Sequence, residues 1–199
     1  MSKMSEKPLN TCLLDRAIKF AVDAHAGVER RGKGFPYIVH PMEAMAIVAT
    51  MTSDQNMLAA AALHDTVEDT AITVEDIRRE FGDEIAEYVK AETGPYAEAE
   101  LSVPWRIRKQ AAMDRLEQSS TKAKMVALGD KLSNMRAIAA DWNIEGDALW
   151  DRFHTTGGRP DHEWHYRQLA KVLSCLDYTN AYKEFIYLIN RTFGNEKEI

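Results

Sequence analysis

The chain has 199 residues, enough for one domain with a sizeable core or two small ones, and its 45% hydrophobic and 9% aromatic content is that of a folded globular protein. With 25 basic against 31 acidic side chains the net charge is −6, which disfavours nucleic-acid binding but leaves room for a small anionic substrate where positive charge is concentrated. The run Met57 to Leu63 is too short to span a bilayer, the start MSKMSEKPLNT lacks a signal-peptide core, and Cys12 and Cys175 form no paired motif, so a cytoplasmic chain without disulfides or a cysteine zinc site is expected.

Residues 1–10 read as a tail and residues 11–195 as one all-α domain of about 8–10 helices, because apolar residues recur at helical spacing throughout. Residues 13–26 place Leu14, Ala17, Ile18, Ala21 and Val22 on one stripe, with His25 on the same face as a buried, satisfied histidine. A basic loop, Glu29-Arg30-Arg31-Gly32-Lys33-Gly34, runs to Pro36. A second helix is predicted from about His40-Pro41 through Ile47. The third covers about Asp54 to Glu68 and is apolar on all sides over residues 57–63, the mark of a helix at the centre of a domain.

Thr73 with Glu75 and Asp76 reads as a cap and acidic first turn, and Gly82 as a stop. A helix from Asp83 to about Glu92 leads to a surface loop from Gly94 to Pro104, and another helix runs to about Gln118. Trp105, Arg106, Arg108 and Lys109 read as a solvated face of that helix. Residues 121–140 carry Met125, Leu128, Leu132, Met135 and Ala139 on a core seam. A short helix near 144–153, the loop Thr155 to Pro160, and helices at about 161–176 and 178–193 complete the chain. His154, His162 and His165 straddle a loop and are not expected to hold a metal.

The chemistry concentrates in His64-Asp65-Thr66-Val67-Glu68-Asp69, at the end of the most hydrophobic helix, where charges are costly unless paired or metal-bound. If that helix persists, His64 with Glu68 and Asp65 with Asp69 are i,i+4 pairs on one edge. Histidine with carboxylate suits a borderline divalent metal such as Mn²⁺, Fe²⁺ or Zn²⁺ better than Ca²⁺ or Mg²⁺. A solvated helix end with an incidental histidine is the competing reading. His40, turned out by Pro41, is by itself better explained structurally than as a ligand. Asp130 lies among core-seam residues with Asn134 one turn on, and alone reads better as a surface aspartate on an amphipathic helix. Gly129 inside that helix costs ~1 kcal/mol against alanine, which points to close approach by another segment or a ligand.

Taken together, these segments resemble the HD-domain superfamily of phosphohydrolases, and more narrowly the hydrolase domain of RelA/SpoT homologues and the small alarmone hydrolases. The resemblance runs over about residues 13–140 and rests on His25 with Arg30-Arg31, Pro36 to Pro41, Ala61 to Thr70, Phe81-Gly82, and Leu128 to Arg136. It implies a single compact HD-domain helical bundle that binds Mn²⁺, or another divalent transition metal, through His40, His64, Asp65 and Asp130. It implies hydrolysis of the 3′-diphosphate of guanosine tetra- or pentaphosphate to GDP or GTP and pyrophosphate. Glu68 and Asp69 would position and activate the attacking water, Arg30 and Arg31 would clamp the diphosphate, and Asn134 would bind sugar or phosphate. An ordinary basic surface loop is the alternative for the two arginines.

The chain departs from the family where a lysine often follows the helix ending near Thr93; here the loop is acidic, with Glu98 and Glu100. Trp164, His165 and Tyr166 compete for the place of a base-stacking aromatic. Another phosphorylated nucleotide (an adenine alarmone, NADPH or a nucleoside monophosphate) is the alternative substrate, and a catalytically silent nucleotide-binding protein the alternative class. With no synthetase segment after residue 195, a stand-alone hydrolase without membrane or nucleic-acid partner is expected, with homo-oligomerisation open.

Overall fold

A computed structural model of the chain describes residues 10–94, 103–153 and 157–194. The expectations for the tail, for Glu98 and Glu100, and for His154 and the threonines after it lie outside these residues. Within them are ten α-helices, and the only β pairing among the described residues is an antiparallel bridge between Glu29 and Pro36 that closes the basic loop. The helices are α1 (Cys12–Ala24), α2 (Val39–Val48), α3 (Gln55–Leu63), α4 (Thr66–Asp69), α5 (Val74–Phe81), α6 (Asp83–Glu92), α7 (Trp105–Glu117), α8 (Thr121–Glu145), α9 (Arg159–Val172) and α10 (Asn180–Phe193).

The centre is α3. Ala59 to Leu63 are wholly buried, and their small side chains let α1, α2, α6 and α8 approach from different sides. Asp54 starts this helix by accepting the Asn56 N–H at 3.0 Å. The helix does not persist to Glu68, as the sequence pattern suggested; it ends at Leu63 and resumes as the single turn α4. The cause is local competition for carbonyls. His64 Nδ1 lies 2.8 Å from the Ala61 carbonyl and the Thr66 hydroxyl donates to Leu63 at 2.7 Å, using acceptors that a continuing helix would need. The continuous helix expected to carry His64 with Glu68 is therefore interrupted, while Asp65 and Asp69 keep their i,i+4 relation across α4, where the Asp69 N–H donates to the Asp65 carbonyl at 2.9 Å.

Two clusters of buried side chains make up the interior. One gathers α1, α3, α5 and α6, with Ala17, Leu63, Ile77 and Ile85; the other gathers α9, α10 and the later turns of α8, with Leu132, Leu169, Phe185 and Ile189. Helix α8 serves both: Ala123 and Val126 belong to the first cluster and Leu128, Leu132 and Met135 to the second. It runs five residues beyond the expected end, to Glu145, and stops at Gly146, whose φ of +59° is left-handed. A 3-10 segment, Gly146–Arg152, then takes the place of the expected α-helix. Thr73 forms a reciprocal capping box with Asp76 at the start of α5, as its pattern indicated.

Helices α2 and α8 meet at Gly129. A Cβ there would lie 2.7 Å from the Ala44 carbonyl and 2.6 Å from Val48 Cγ2, so only glycine permits this approach. The close contact inferred from a glycine inside a helix is thus with α2, and it brings His40 beside Asp130.

Candidate metal centre and cleft

Four of the residues singled out in the sequence converge where the two cores meet. His40 from α2, and His64 and Asp65 from the bend after α3, present donor atoms within 4.8 Å of one another. Asp130 from α8 joins them: its Oδ1 is 3.0 Å from His40 Nε2 and 3.5 Å from His64 Nε2. Asp65 Oδ2 lies 2.9 Å from His64 Nε2 and 3.3 Å from His40 Nε2. His40, His64 and Asp130 are buried, so this charge is held away from bulk water.

The surroundings fix which face of each imidazole is free. His64 Nδ1 can only donate to the Ala61 carbonyl, which leaves Nε2 unprotonated in the neutral ring. His40 Nδ1 meets the Ser133 hydroxyl at 2.8 Å, and that hydroxyl donates to Glu43 at 2.7 Å. Tyr37 donates to Asp65 Oδ2 at 2.7 Å. Asn134 donates to Asp130 Oδ1, Lys131 donates to Asp130 Oδ2, and the same ammonium reaches Glu92 at 3.1 Å. Burial pushes the Tyr37 phenol and the Glu92 carboxyl upward, with Asp65 adding to the first and Asp130 to the second against Lys131.

The donor set fits a divalent cation. His64 Nε2 is buried with no hydrogen-bond partner, although a carboxylate oxygen stands 2.9 Å away. Two lone pairs facing each other at that distance need a positive charge between or beside them. In the cation-free protein a proton supplies it: burial opposes a charged His64, but Asp65 and Asp130 outweigh burial and raise its pKa well above the usual value.

The donors open onto a cavity of about 370 Å³. Its lining includes the cations Arg30, Arg31, Lys33, Lys109, Lys131 and Arg152 and the rings of Trp105, Phe153, His162, His165 and Tyr166. Arg30 donates to Asn134 Oδ1 at 2.5 Å and lies 5.3 Å over the Tyr37 ring, so the amide of Asn134 joins it to Asp130. Glu68 is in the cavity wall, solvent-accessible yet flanked by enough protein that burial raises its pKa, with Lys109 opposing and Asp65 adding. Asp69 lies beside Tyr37 and Asp65, outside that wall, and burial and Asp65 push its carboxyl upward.

Several expectations change at this cleft. Lys109, read as part of a solvated face, lines the cavity together with Glu68, and burial lowers its pKa against the opposing pull of Glu68. It shares a helical stripe with the buried Met113 and Leu116, a signal that its charge concealed. Arg106 does remain exposed, over Trp164 and 3.3 Å from Asp161. Of the competing aromatics, His165 and Tyr166 line the cavity and Trp164 does not. His25 is buried as expected and packs 4.9 Å from the Tyr37 ring, but neither ring nitrogen is satisfied. Tyr37, Glu43, Glu92, Lys131 and Ser133 all support the centre and had no role assigned from the sequence.

An all-helical domain with paired histidine and aspartate donors at the junction of its cores defines a class of metal-binding hydrolase domain. The chain belongs to the HD-domain family, whose model matches residues 17–150. It is 35% identical over 132 residues to guanosine-3′,5′-bis(diphosphate) 3′-pyrophosphohydrolase MESH1 of Xenopus tropicalis, a match covering 65% of this chain and 71% of that one. It is 34% identical over 132 residues to the GTP pyrophosphokinase rsh of Brucella ovis, covering 65% of this chain and 17% of that protein. The chain spans 16–17% of the length of the first curated relatives it matches. Its fold is also that of a solved structure described as a metazoan ortholog of SpoT that hydrolyzes ppGpp, with a TM-score of 0.72 and 23% identity over 95% of this chain and 100% of the other. Among the described residues no helix is long and apolar enough to cross a membrane.

Proposed function

We propose that this chain hydrolyses the 3′-diphosphate of guanosine tetra- or pentaphosphate, releasing pyrophosphate and leaving GDP or GTP, with Mn²⁺ held by His40, His64, Asp65 and Asp130. The observation that carries the reading is the meeting of two imidazole Nε2 atoms and two carboxylates at the wall of a cavity that also gathers Arg30, Arg31, Lys109 and Lys131. The names of MESH1 and of the metazoan ortholog of SpoT point to the same substrate. The mixed nitrogen and oxygen donors favour Mn²⁺ over Ca²⁺ or Mg²⁺.

When bound, the metal supplies an acidified water and neutralises phosphate oxygens. The chain's residues do the rest. Glu68, facing the cavity with a raised pKa, accepts the proton of the attacking water. Asp69 acts behind it through Tyr37 and Asp65. Water oxygen bonds to phosphorus, the bond from phosphorus to the 3′ oxygen breaks, and that oxygen takes up the proton that Glu68 accepted and leaves as the nucleoside hydroxyl. Arg30 and Arg31 hold the diphosphate oxygens, and Lys109 supplies positive charge on the side of Glu68. Asn134, engaged at both ends of its amide, reaches the substrate through Arg30. The rings of the lining receive the base. His162, pushed down to about 4 by burial, and His165, held well below its usual range by burial and by Lys109, are neutral there and can hydrogen-bond to it.

The test is a panel of nucleotides incubated with the Mn²⁺-loaded protein, with pyrophosphate and orthophosphate measured separately. Pyrophosphate from guanosine tetraphosphate is the expected product. Orthophosphate alone, from NADPH or a nucleoside monophosphate, would transfer the activity to another nucleotide. Tight binding without turnover would make the chain a nucleotide-binding protein.

A further inference from the structure

The two histidines of the centre are oriented by different means. His64 leans on a backbone carbonyl, which no side-chain substitution removes. His40 leans on a chain of side chains: its Nδ1 is 2.8 Å from Ser133 Oγ, and Ser133 donates its single hydroxyl proton to Glu43 Oε2 at 2.7 Å. That direction decides the tautomer. With its proton given to Glu43, Ser133 Oγ can only accept from the ring, so Nδ1 of His40 carries the hydrogen and Nε2 faces the metal position with a free lone pair.

The relay is anchored beyond Glu43. Glu43 Oε1 accepts from Arg136 Nη1 at 3.1 Å, while Arg136 Nε and Nη2 fork onto the two oxygens of Glu184 in α10 at 2.7 and 2.8 Å. Helical spacing sets this up. His40 and Glu43 are three residues apart on α2, Ser133 and Arg136 three apart on α8, and Gly129 allows the two helices to lie close enough for the bonds to form. Ser133 is 1% exposed and His40 4%, so the inner links are shielded from water, whereas Glu43 and Arg136 reach the surface.

We infer that Glu43 and Ser133 are positioning residues for the metal: a carboxylate–hydroxyl relay that locks the His40 tautomer, strengthens its ring as a donor and sets metal affinity, with Arg136 and Glu184 bracing Glu43. The inference rests on the metal reading above but not on the substrate. A carboxylate behind a ligating histidine raises the basicity of the ligand nitrogen, and loss of such partners weakens metal binding about 10–100-fold.

The experiment titrates Mn²⁺ into the full-length protein against a chelator of known affinity, with no nucleotide present. Ser133→Ala and Glu43→Gln are expected to weaken Mn²⁺ binding by about tenfold or more, and Ser133→Thr, which keeps the hydroxyl, by much less. Melting of the metal-free variants reports whether they fold. Nitrogen-15 spectra of the wild-type imidazoles give an independent readout, with the His40 proton expected on Nδ1. Wild-type Mn²⁺ affinity in folded Ser133→Ala and Glu43→Gln, or a His40 ring with no proton on Nδ1, would overturn the relay and leave the metal site standing. A wild-type chain that binds no Mn²⁺ would overturn the site and the relay together.

Discussion

His64 Nε2 and Asp65 Oδ2, on adjacent residues, face each other across 2.9 Å, and the one proton of the neutral ring is committed to the Ala61 carbonyl on its other side. The bend after Leu63 creates this arrangement, since neighbours in a continuous helix point about 100° apart. A divalent cation at the proposed site and a proton would therefore compete for one nitrogen.

That competition sets a pH dependence. His64 is raised well above its usual 6.5 in the metal-free protein, because Asp65 and Asp130 outweigh burial. A raised folded-state pKa stabilises fully below the unfolded value and loses that contribution as pH climbs through the folded value. Asp65 and Asp130 are held well below their usual range, as the histidines, and Lys131 for Asp130, overcome burial; their contribution is present above the unfolded value and is lost only in acid. Metal binds the deprotonated ring, so the rise in melting temperature on saturating with Mn²⁺ should grow from about pH 6 to about pH 8.5. An equal rise at both ends would contradict the arrangement.

Replacing Glu68 with Gln should leave the metal content unchanged and lower kcat by about 10²–10⁴-fold. Asp69→Asn should lower it less, since Asp69 stands outside the cavity wall. Metal analysis beside steady-state kinetics separates the effects, and a fully active Glu68→Gln variant would remove Glu68 from the reaction.

Lys109→Met preserves the stem that packs along the Met113 and Leu116 stripe while deleting the charge that lines the cavity with Glu68. A charged hydrogen bond to phosphate contributes about 1.5–3 kcal/mol, so KM for guanosine tetraphosphate should rise at least tenfold with Mn²⁺ affinity retained. Unchanged KM would return Lys109 to the status of a packing residue.

Gly129→Ala should destabilise the protein by about 1–3 kcal/mol in denaturant titrations. The new methyl would meet the Ala44 carbonyl and Val48, forcing α2 from α8 and separating His40 from Asp130. Weaker Mn²⁺ binding should accompany the loss of stability.

Much of this was legible in the residues. Apolar periodicity located the helices, the uninterrupted run Met57–Leu63 marked the central one, and Gly129 announced a close approach through its cost in a helix interior. The bend at His64 was not legible, because periodicity does not register a side chain competing with the backbone for a carbonyl. Lys109 escaped notice since a cation on an amphipathic helix is ordinarily solvated, and only the neighbouring cavity distinguishes it. Ser133 and Glu43 meet across a separation of 90 residues, and no local pattern foretells such a contact.

Helix α8 contributes to both cores without a break, and this limits how the protein can move. Swinging the two halves apart would have to bend the middle of α8, so the continuous helix resists widening of the cleft. Substrate must be accommodated by the side chains and by the loop carrying Arg30 and Arg31, pinned at its base by the Glu29–Pro36 bridge. In such a frame selectivity rests on the fit of a ligand to the cleft, and a change of preference would come from substitutions in the lining rather than from loosening of the helices that carry it.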